Sequence, residues 1–136
     1  MDANILKTYQ DSLERCSANP RFYERFYEIF LASSPKIAEK FAHTDFVRQR
    51  AALNASLHKM VLAVGDETGP PEKHLTDLAE MHSSRALNIG AEFYDYWLDS
   101  LLTTVREIDP EYDQHVHNAW ERTMLIGIGF LLSRYA

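Results

Sequence analysis

Apolar residues recur at helical spacing in every long segment of this 136-residue chain, and no stretch alternates convincingly with period two. Proline pairs punctuate the helical pattern at Asn19-Pro20, Ser34-Pro35 and Asp109-Pro110. In each pair a capping residue precedes a proline, and a proline at the first helical position removes no intrahelical hydrogen bond. The pairs therefore predict helix starts, and the pattern as a whole predicts an all-α fold.

The periodicity divides the chain into six substantial helices and one short helix, with no internal repeat and no linker. We therefore expect a single domain over residues 1–136. The predicted helical segments are 5–16, 20–32, 35–41, 44–64, 75–89, 93–108 and the stretch from 109 to about 131.

The last predicted helix has two unusual features. Beyond Met124 it is apolar nearly all round, which predicts burial between other helices. Gly127 and Gly129 each cost about 1 kcal/mol relative to alanine in a helix interior. We therefore expect another element to approach the backbone closely at both glycines.

Composition and charge exclude several classes of protein. The net charge of −6 argues against a nucleic-acid partner, because phosphates would repel the chain. Cys16 is the single cysteine, so no intrachain disulfide can form and a reducing compartment is expected. The start of the chain lacks the pattern of a secretory signal, and the longest apolar run, residues 124–132, is too short to cross a bilayer. The sequence thus predicts a soluble, cytoplasmic protein.

One stretch, residues 75–89, places a histidine on an otherwise apolar helical face. Leu75, Leu78, His82 and Ile89 recur at helical spacing, and most polar residues fall toward the other side. A neutral imidazole presented from an apolar stripe is what a haem iron requires as an axial ligand. A core histidine hydrogen-bonded to a carbonyl gives the same pattern. The residues of this stretch alone leave both interpretations open.

The order and spacing of residues in the first half of the chain resemble those of the globins. Pro35 stands eight residues after Tyr27 and six before Phe41. This resembles the globin arrangement of a distal-pocket residue, a proline that opens the short third helix, and a phenylalanine packed on the haem. Gln49 followed by Leu53 is similar to the distal pair of bacterial globins.

The second half of the chain continues the resemblance. Leu78, four residues before His82, resembles the proximal helix and its iron ligand, and Ala119-Trp120 is similar to a pattern of bacterial single-domain haemoglobins. The resemblance covers residues 20–135. It implies a globin fold, a three-on-three helical sandwich of six to seven helices, with haem b (iron protoporphyrin IX) bound through His82 to its iron.

The resemblance also implies a distal pocket on the side of the haem opposite His82. There Tyr27 and Gln49 would donate hydrogen bonds to a diatomic ligand. The implied walls of this pocket are Phe26, Phe41, Phe46 and Leu53. Proline spacing favours Tyr27 over Tyr23 on the same helix, although a plain core role for Tyr27 and a surface position for Gln49 remain alternatives.

Other residues near His82 complete the predicted haem site. Leu78 and Ile89 would contact the haem, and Arg85 either pairs with a haem propionate or is solvated. The remaining histidines are interpreted as surface residues: His43, His58, His74, His115 and His117.

The resemblance implies reversible binding of dioxygen, with NO and CO as further ligands, for oxygen storage or transport. The alternatives are an NO dioxygenase that depends on an external reductase, a gas or redox sensor, and an interaction module that acts through a partner protein. The chain is too short to include a reductase or a signalling output domain, so those activities require a partner. Both a monomer and a homodimer fit the sequence.

Overall fold

A computed structural model describes residues 2–65 and 91–133, except the side chains of 64–65 and 130–133. Within these ranges the chain forms helices and no strands, which confirms the predicted all-α class. The helices are α1 (Ala3–Ala18), α2 (Phe22–Ala32), α3 (Pro35–Lys40), α4 (Phe46–Gly65), α5 (Ala91–Ile108) and α6 (Gln114–Ser133). No described helix is long and apolar enough to cross a membrane. The predicted helix at 75–89 lies outside the described residues.

The core lies where α1, α2, α4, α5 and α6 converge. Helix α1 packs on α4 and α6, while α2 packs on α5 and α3. Trp120 is fully buried near the centre, and its ring contacts those of Tyr9 (centroids 4.9 Å apart) and Phe22 (6.2 Å). Along these helices, many apolar residues at helical spacing are buried: Tyr9, Leu13, Cys16, Leu53, Leu57, Met60, Leu101, Val105, Val116, Trp120, Met124 and Ile128. Others of the same apolar faces are only partly buried: Ile5, Leu6, Phe46, Val61, Phe93, Trp97, Leu98 and Ile108.

Tyrosines of α1 and α2 donate hydrogen bonds to groups on α4. The Tyr9 hydroxyl donates to the Leu57 carbonyl oxygen at 2.6 Å. The Tyr23 hydroxyl donates to Asn54 Oδ1. Tyr27 also donates to α4, near its first turn, through a much longer bond. Helix α4 is therefore held at several points along its length by phenol groups.

The structure confirms the helix start at Ser34-Pro35 and moves the one at Asn19-Pro20. The Ser34 hydroxyl accepts the Lys36 N–H at 3.2 Å, with Pro35 at the first helical position. Asn19 Oδ1 accepts the Arg21 N–H at 2.9 Å, as a cap would. However, α2 begins at Phe22, so residues 20–21 form a turn before the helix.

The helix start predicted at Asp109-Pro110 is wrong, because α6 begins at Gln114. Asp113, and not Asp109, caps this helix: its Oδ1 accepts the Val116 N–H at 2.9 Å. Asp109 instead closes the turn between α5 and α6, and its carboxylate is held mainly by side chains of α1. The predicted capping residue is four positions too early, because the sequence offers two aspartates, Asp109 and Asp113, that could each cap the helix.

A polar network centred on Asp109 joins α1, the α5–α6 turn and α6. Asp109 is only 3% exposed, and its Oδ1 and Oδ2 accept Arg15 Nε at 2.7 Å and Nη2 at 2.9 Å. The Ser12 hydroxyl donates to the same carboxylate and accepts Trp120 Nε1 at 2.8 Å. Burial acts to raise the pKa of Asp109, but the hydrogen bonds from Arg15 and Ser12 outweigh it, so the pKa lies below its usual value.

Replacing Asp109 with asparagine is expected to lower the free energy of unfolding by about 2 kcal/mol near neutral pH. The estimate is below that for a fully buried pair, because Arg15 is partly exposed. A carboxyl group whose pKa is lowered by folding stabilises the protein above its unfolded-state pKa, about 4. This contribution is lost as the pH falls through the lower folded-state value.

Urea unfolding of both proteins, near neutral pH and at steps below about pH 4, measures this effect. The difference in the free energy of unfolding between wild type and Asp109→Asn should become smaller as the pH is lowered. Glu111→Gln is the matched control, because the Glu111 carboxylate is mostly exposed and only 3.5 Å from Arg15 Nε; its effect should be small. A gap of constant size across the pH range would contradict the assigned role of the charge.

The two glycines of α6 differ. A Cβ atom at Gly127 would lie 2.7 Å from Met60 Sδ, which confirms the expected close approach of α4. At Gly129 nothing lies within 4 Å, so the same expectation is wrong there. Burial all round is wrong for this part of α6, since Leu125 is 51% and Ile126 38% exposed.

Candidate functional site

A set of aromatic side chains from α2, the end of α3 and the start of α4 forms one continuous cluster. We call this the aromatic cluster; it consists of Phe26, Tyr27, Phe30, Phe41 and Phe46. Ring centroids are 4.9 Å apart for Phe26–Tyr27, 5.5 Å for Tyr27–Phe46 and 5.6 Å for Phe30–Phe41. The structure therefore brings together three of the predicted wall residues, Phe26, Phe41 and Phe46.

Local sequence explains how the aromatic cluster forms. On α2, Phe26 and Phe30 are one turn apart and stack at 5.4 Å. Pro35 starts α3 soon after, and the short helix ends at its C-cap residue Phe41, whose ring returns to Phe30. Asp45 Oδ1 accepts the Val47 N–H at 3.0 Å and so starts α4 with Phe46 beside the cluster.

Within the aromatic cluster, Tyr27 provides a polar hydrogen. Its side chain is 5% exposed, and its hydroxyl donates to the Gln49 carbonyl oxygen at 3.4 Å. That distance is well above the usual O–H···O value of about 2.7–2.8 Å, so the bond is weak. Burial raises the pKa of Tyr27 to about 12, against smaller opposite effects of a hydrogen bond with the Gln49 side chain and of the Arg50 charge. The hydroxyl is therefore protonated at neutral pH and able to donate.

Tyr23 has a different environment, although it lies one turn earlier on α2. It is half-buried, and its hydroxyl donates to Asn54 Oδ1 while lying 3.1 Å from Ser17 Oγ. The Tyr23 hydroxyl is thus already strongly engaged away from Gln49. This supports the choice of Tyr27 over Tyr23 as the pocket donor, a choice that stays a prediction.

Helix α4 contributes the other predicted distal residues. Gln49 is half-buried, and a hydrogen bond with its side chain acts to lower the pKa of Tyr27. Leu53, one turn later, is buried in the core. Gln49 therefore stands at the border of the apolar face of α4, with its side chain beside the Tyr27 hydroxyl.

Sequence reasoning missed two contributors to this region. Arg50 is half-buried, and its charge acts on the Tyr27 hydroxyl, so a cation lies on this side of the molecule. Its position directly after Gln49 was the available signal. Trp97 of α5 packs against Phe26 with ring centroids 6.0 Å apart. Trp97 lies in the predicted helix 93–108, but nothing in the spacing linked it to the distal wall.

The predicted proximal residues lie outside the described residues. These are His82, Leu78, Arg85 and Ile89, together with His74. Their roles stay predictions.

Four other histidines are described. His43, His58 and His115 are exposed, as predicted. His117 lies partly exposed at the surface, with its Nδ1 2.7 Å from the Tyr112 hydroxyl. The sequence alone could not show this contact, because it depends on the shape of the α5–α6 turn.

Tyr94, on the first turn of α5, adds a second buried phenol. It is 7% exposed. Among the buried side-chain nitrogen and oxygen atoms in the described part of the chain, its hydroxyl oxygen is the one without a hydrogen-bond partner. Burial raises the pKa of Tyr94 far above its usual value, so the group is neutral. An aromatic wall with a few polar hydrogens and a cation suits a large, flat, mainly apolar cofactor with anionic groups, and these residues fit a haem.

Comparison with known proteins decides the family. The globin family model matches residues 24–125, which is most of the chain. The chain belongs to the globin family. Among solved structures, this globin is similar to a Pseudomonas aeruginosa PAO1 protein described as structurally highly homologous to a human hemoglobin. The two share 37% identity and a TM-score of 0.90, over 97% of this chain and 98% of the other. No curated protein matches the chain.

Proposed function

We propose that this globin binds haem b and reversibly binds dioxygen at the haem iron, with NO and CO as further ligands. His82 would hold the iron from one side. Tyr27 and Gln49 would donate hydrogen bonds to the gas on the other side. Phe26, Phe41, Phe46 and Leu53 would form the wall around it, with Leu78, Ile89 and Arg85 on the side of His82.

The observation that carries this proposal is the state of the Tyr27 hydroxyl. It is protonated and lies among aromatic rings, and its hydrogen bond to the Gln49 carbonyl is long. A phenol that served only to tie α2 to α4 would be expected to bond as closely as Tyr9 does, at 2.6 Å. The Tyr27 donor is thus available to a new acceptor at little energetic cost.

Haem, when bound, supplies the iron atom to which a diatomic gas attaches. A hydrogen bond to an acceptor that carries negative charge contributes about 1.5–3 kcal/mol, and Tyr27 and Gln49 would offer such a bond to a polar gas. Since about 1.4 kcal/mol corresponds to a factor of ten, one well-placed donor slows release about tenfold or more. Carbon monoxide is less polar and gains less, so the arrangement favours dioxygen.

The other described residues support this donor. The aromatic rings beside Tyr27 exclude water, which would otherwise compete for its hydrogen. Gln49 provides an amide, a neutral donor that does not change charge near physiological pH. Neither donor has to lose a proton to act, so we expect dioxygen affinity to depend only weakly on pH around neutrality.

The absorption spectrum of the purified chain with added hemin tests the proposal. We expect an intense near-ultraviolet haem band that shifts on reduction and shifts again with carbon monoxide. A preparation that takes up no hemin, or whose haem band does not respond to carbon monoxide after reduction, would overturn it. The same sample, exposed to air after reduction and then flushed with argon, shows whether dioxygen binding is reversible, because the spectrum of the reduced protein should return.

A further inference from the structure

Helix α4 is apolar on its outward side as well as on its core side. Of the large apolar side chains in the described part of the chain, Val47 (71%) and Leu62 (56%) are the most exposed, and both lie on α4. Exposed residues at spacings of three or four positions connect them. We call this surface the outer face; it consists of Val47, Ala51, Ala55, His58 and Leu62. Single exposed apolar residues are ordinary, but an aligned set on one helix indicates a contact surface.

The charge of α4 differs from that of the rest of the chain. The helix contains three cationic residues, Arg48, Arg50 and Lys59, and no aspartate or glutamate. The whole chain has a net charge of −6, so its excess of acidic residues lies entirely outside α4. None of the three cations forms an ion pair with a described residue, whereas all three arginines among residues 2–35 do. The positive charge of α4 is therefore not neutralised within the described part of the chain.

The cations border the outer face. Each residue of a helix turns by about 100°, so Arg48 and Lys59 project at similar angles along one edge of the outer face, and Arg50 along the other. Arg48 and Lys59 are both exposed, and they lie about 16 Å apart along the helix axis. An apolar centre with positive edges is complementary to an apolar patch with negative edges.

We propose that the outer face is the docking site for an acidic protein partner, which lays an amphipathic helix with carboxylate groups along α4. The apolar length from Val47 to Leu62 is about 22 Å, enough for a partner helix of about four turns. Acidic side chains about three turns apart on that helix would pair with Arg48 and Lys59.

Other occupants fit the outer face less well. A second copy that docked through its own α4 would bring cations against cations, because this helix has no acidic residue to pair with them. A nucleic acid would be repelled by the net charge of −6. An anionic membrane surface is usually bound by helices with aromatic and large aliphatic residues, and the centre of the outer face is formed by alanines.

Two synthetic peptides, each a helix of about 20 residues, test this proposal. Both carry the same alanine and leucine face, with glutamates beside it in one peptide and lysines in the other. Fluorescence anisotropy of the labelled peptides measures their affinity for the purified chain at low and high salt. We expect the glutamate peptide to bind at least about tenfold more tightly than the lysine peptide, and to bind more weakly as salt is added.

Variants of α4 locate the binding. Arg48→Glu should weaken binding of the glutamate peptide about fivefold. Ala55→Gln should weaken it further, because a long polar side chain in the centre of the outer face holds the partner helix away. The matched controls are Arg106→Glu, which changes an exposed arginine of α5, and Ala38→Gln, which changes an exposed alanine of α3. Both controls should bind the peptide as wild type does.

The proposal is overturned if neither peptide binds, if both bind equally, or if the α4 variants bind like wild type. Sedimentation that shows a dimer dissociated by Ala55→Gln would also overturn it, because the occupant is then a second copy. So would Arg48-dependent binding to phosphatidylglycerol vesicles that is tighter than peptide binding. The test does not depend on haem, because the outer face lies opposite the buried Leu53. A chain that takes up no hemin would refute the proposed function and not this docking site.

Discussion

Replacing Tyr27 with phenylalanine is expected to speed dioxygen release about tenfold or more, with a much smaller change for carbon monoxide. The change removes one donor and leaves the ring, so the aromatic cluster keeps its packing. Stopped-flow experiments on the reduced protein measure the dissociation rates of dioxygen and of carbon monoxide. The effect on folding should be slight, because the hydrogen bond lost within the protein is 3.4 Å long.

Tyr23→Phe provides the control for this prediction. It removes a hydroxyl from the same helix, one turn away, whose bonds go to Asn54 and Ser17. We expect Tyr23→Phe to lower the stability of the protein and to leave dioxygen release unchanged. If both variants release dioxygen at the wild-type rate, Tyr27 is a core residue and the proposed distal donor is wrong.

Replacing His82 with alanine is expected to weaken haem binding on the order of 100-fold or more, since removal of groups that merely support a metal ligand already costs 10–100-fold. The purified variant should be nearly colourless. Added imidazole should restore part of the haem absorption, because it can supply the missing nitrogen ligand from solution.

His58→Ala is the matched control, because His58 is exposed on α4 and its Nδ1 lies 2.8 Å from the Asn54 carbonyl of the same helix. This variant should keep the wild-type haem spectrum. If His82→Ala binds haem as tightly as wild type with the same spectrum, another residue holds the iron.

Much of the fold follows from local sequence. The helical spacing of apolar residues identified every described helix, because the helix faces that pack together in the core are the apolar faces visible in the sequence. The predicted helix boundaries were wrong where contacts with residues distant in sequence determine them. The carboxylate of Asp109 is bound by Arg15 and Ser12, which are distant in sequence, and so it does not cap α6. Likewise, no rule of spacing predicts that Met60 lies against the backbone at Gly127 while no atom lies within 4 Å of the Cβ position at Gly129.

The candidate site was partly predictable for a similar reason. Spacing relative to Pro35 indicated Tyr27 and Phe41, and the structure brings both into one cluster. The orientation of hydroxyl groups was not predictable, because it depends on which acceptors the folded chain presents. The neighbouring position of Arg50 and Gln49 was the one hint that Arg50 acts on Tyr27, and nothing in the pattern indicated that the Tyr94 hydroxyl has no partner among the described residues.

The contacts between the phenols and α4 have a consequence for how a gas enters. In the proposed function the gas accepts a hydrogen bond from Tyr27, so α4 would lose only the long bond to the Gln49 carbonyl, while the bonds from Tyr9 and Tyr23 would still anchor it. The Tyr27 O–H group could then turn to the gas without a shift of the helix backbone. We therefore expect fast association and no large displacement of α4, a behaviour suited to a reservoir for the gas and poorly suited to relaying its arrival through this helix.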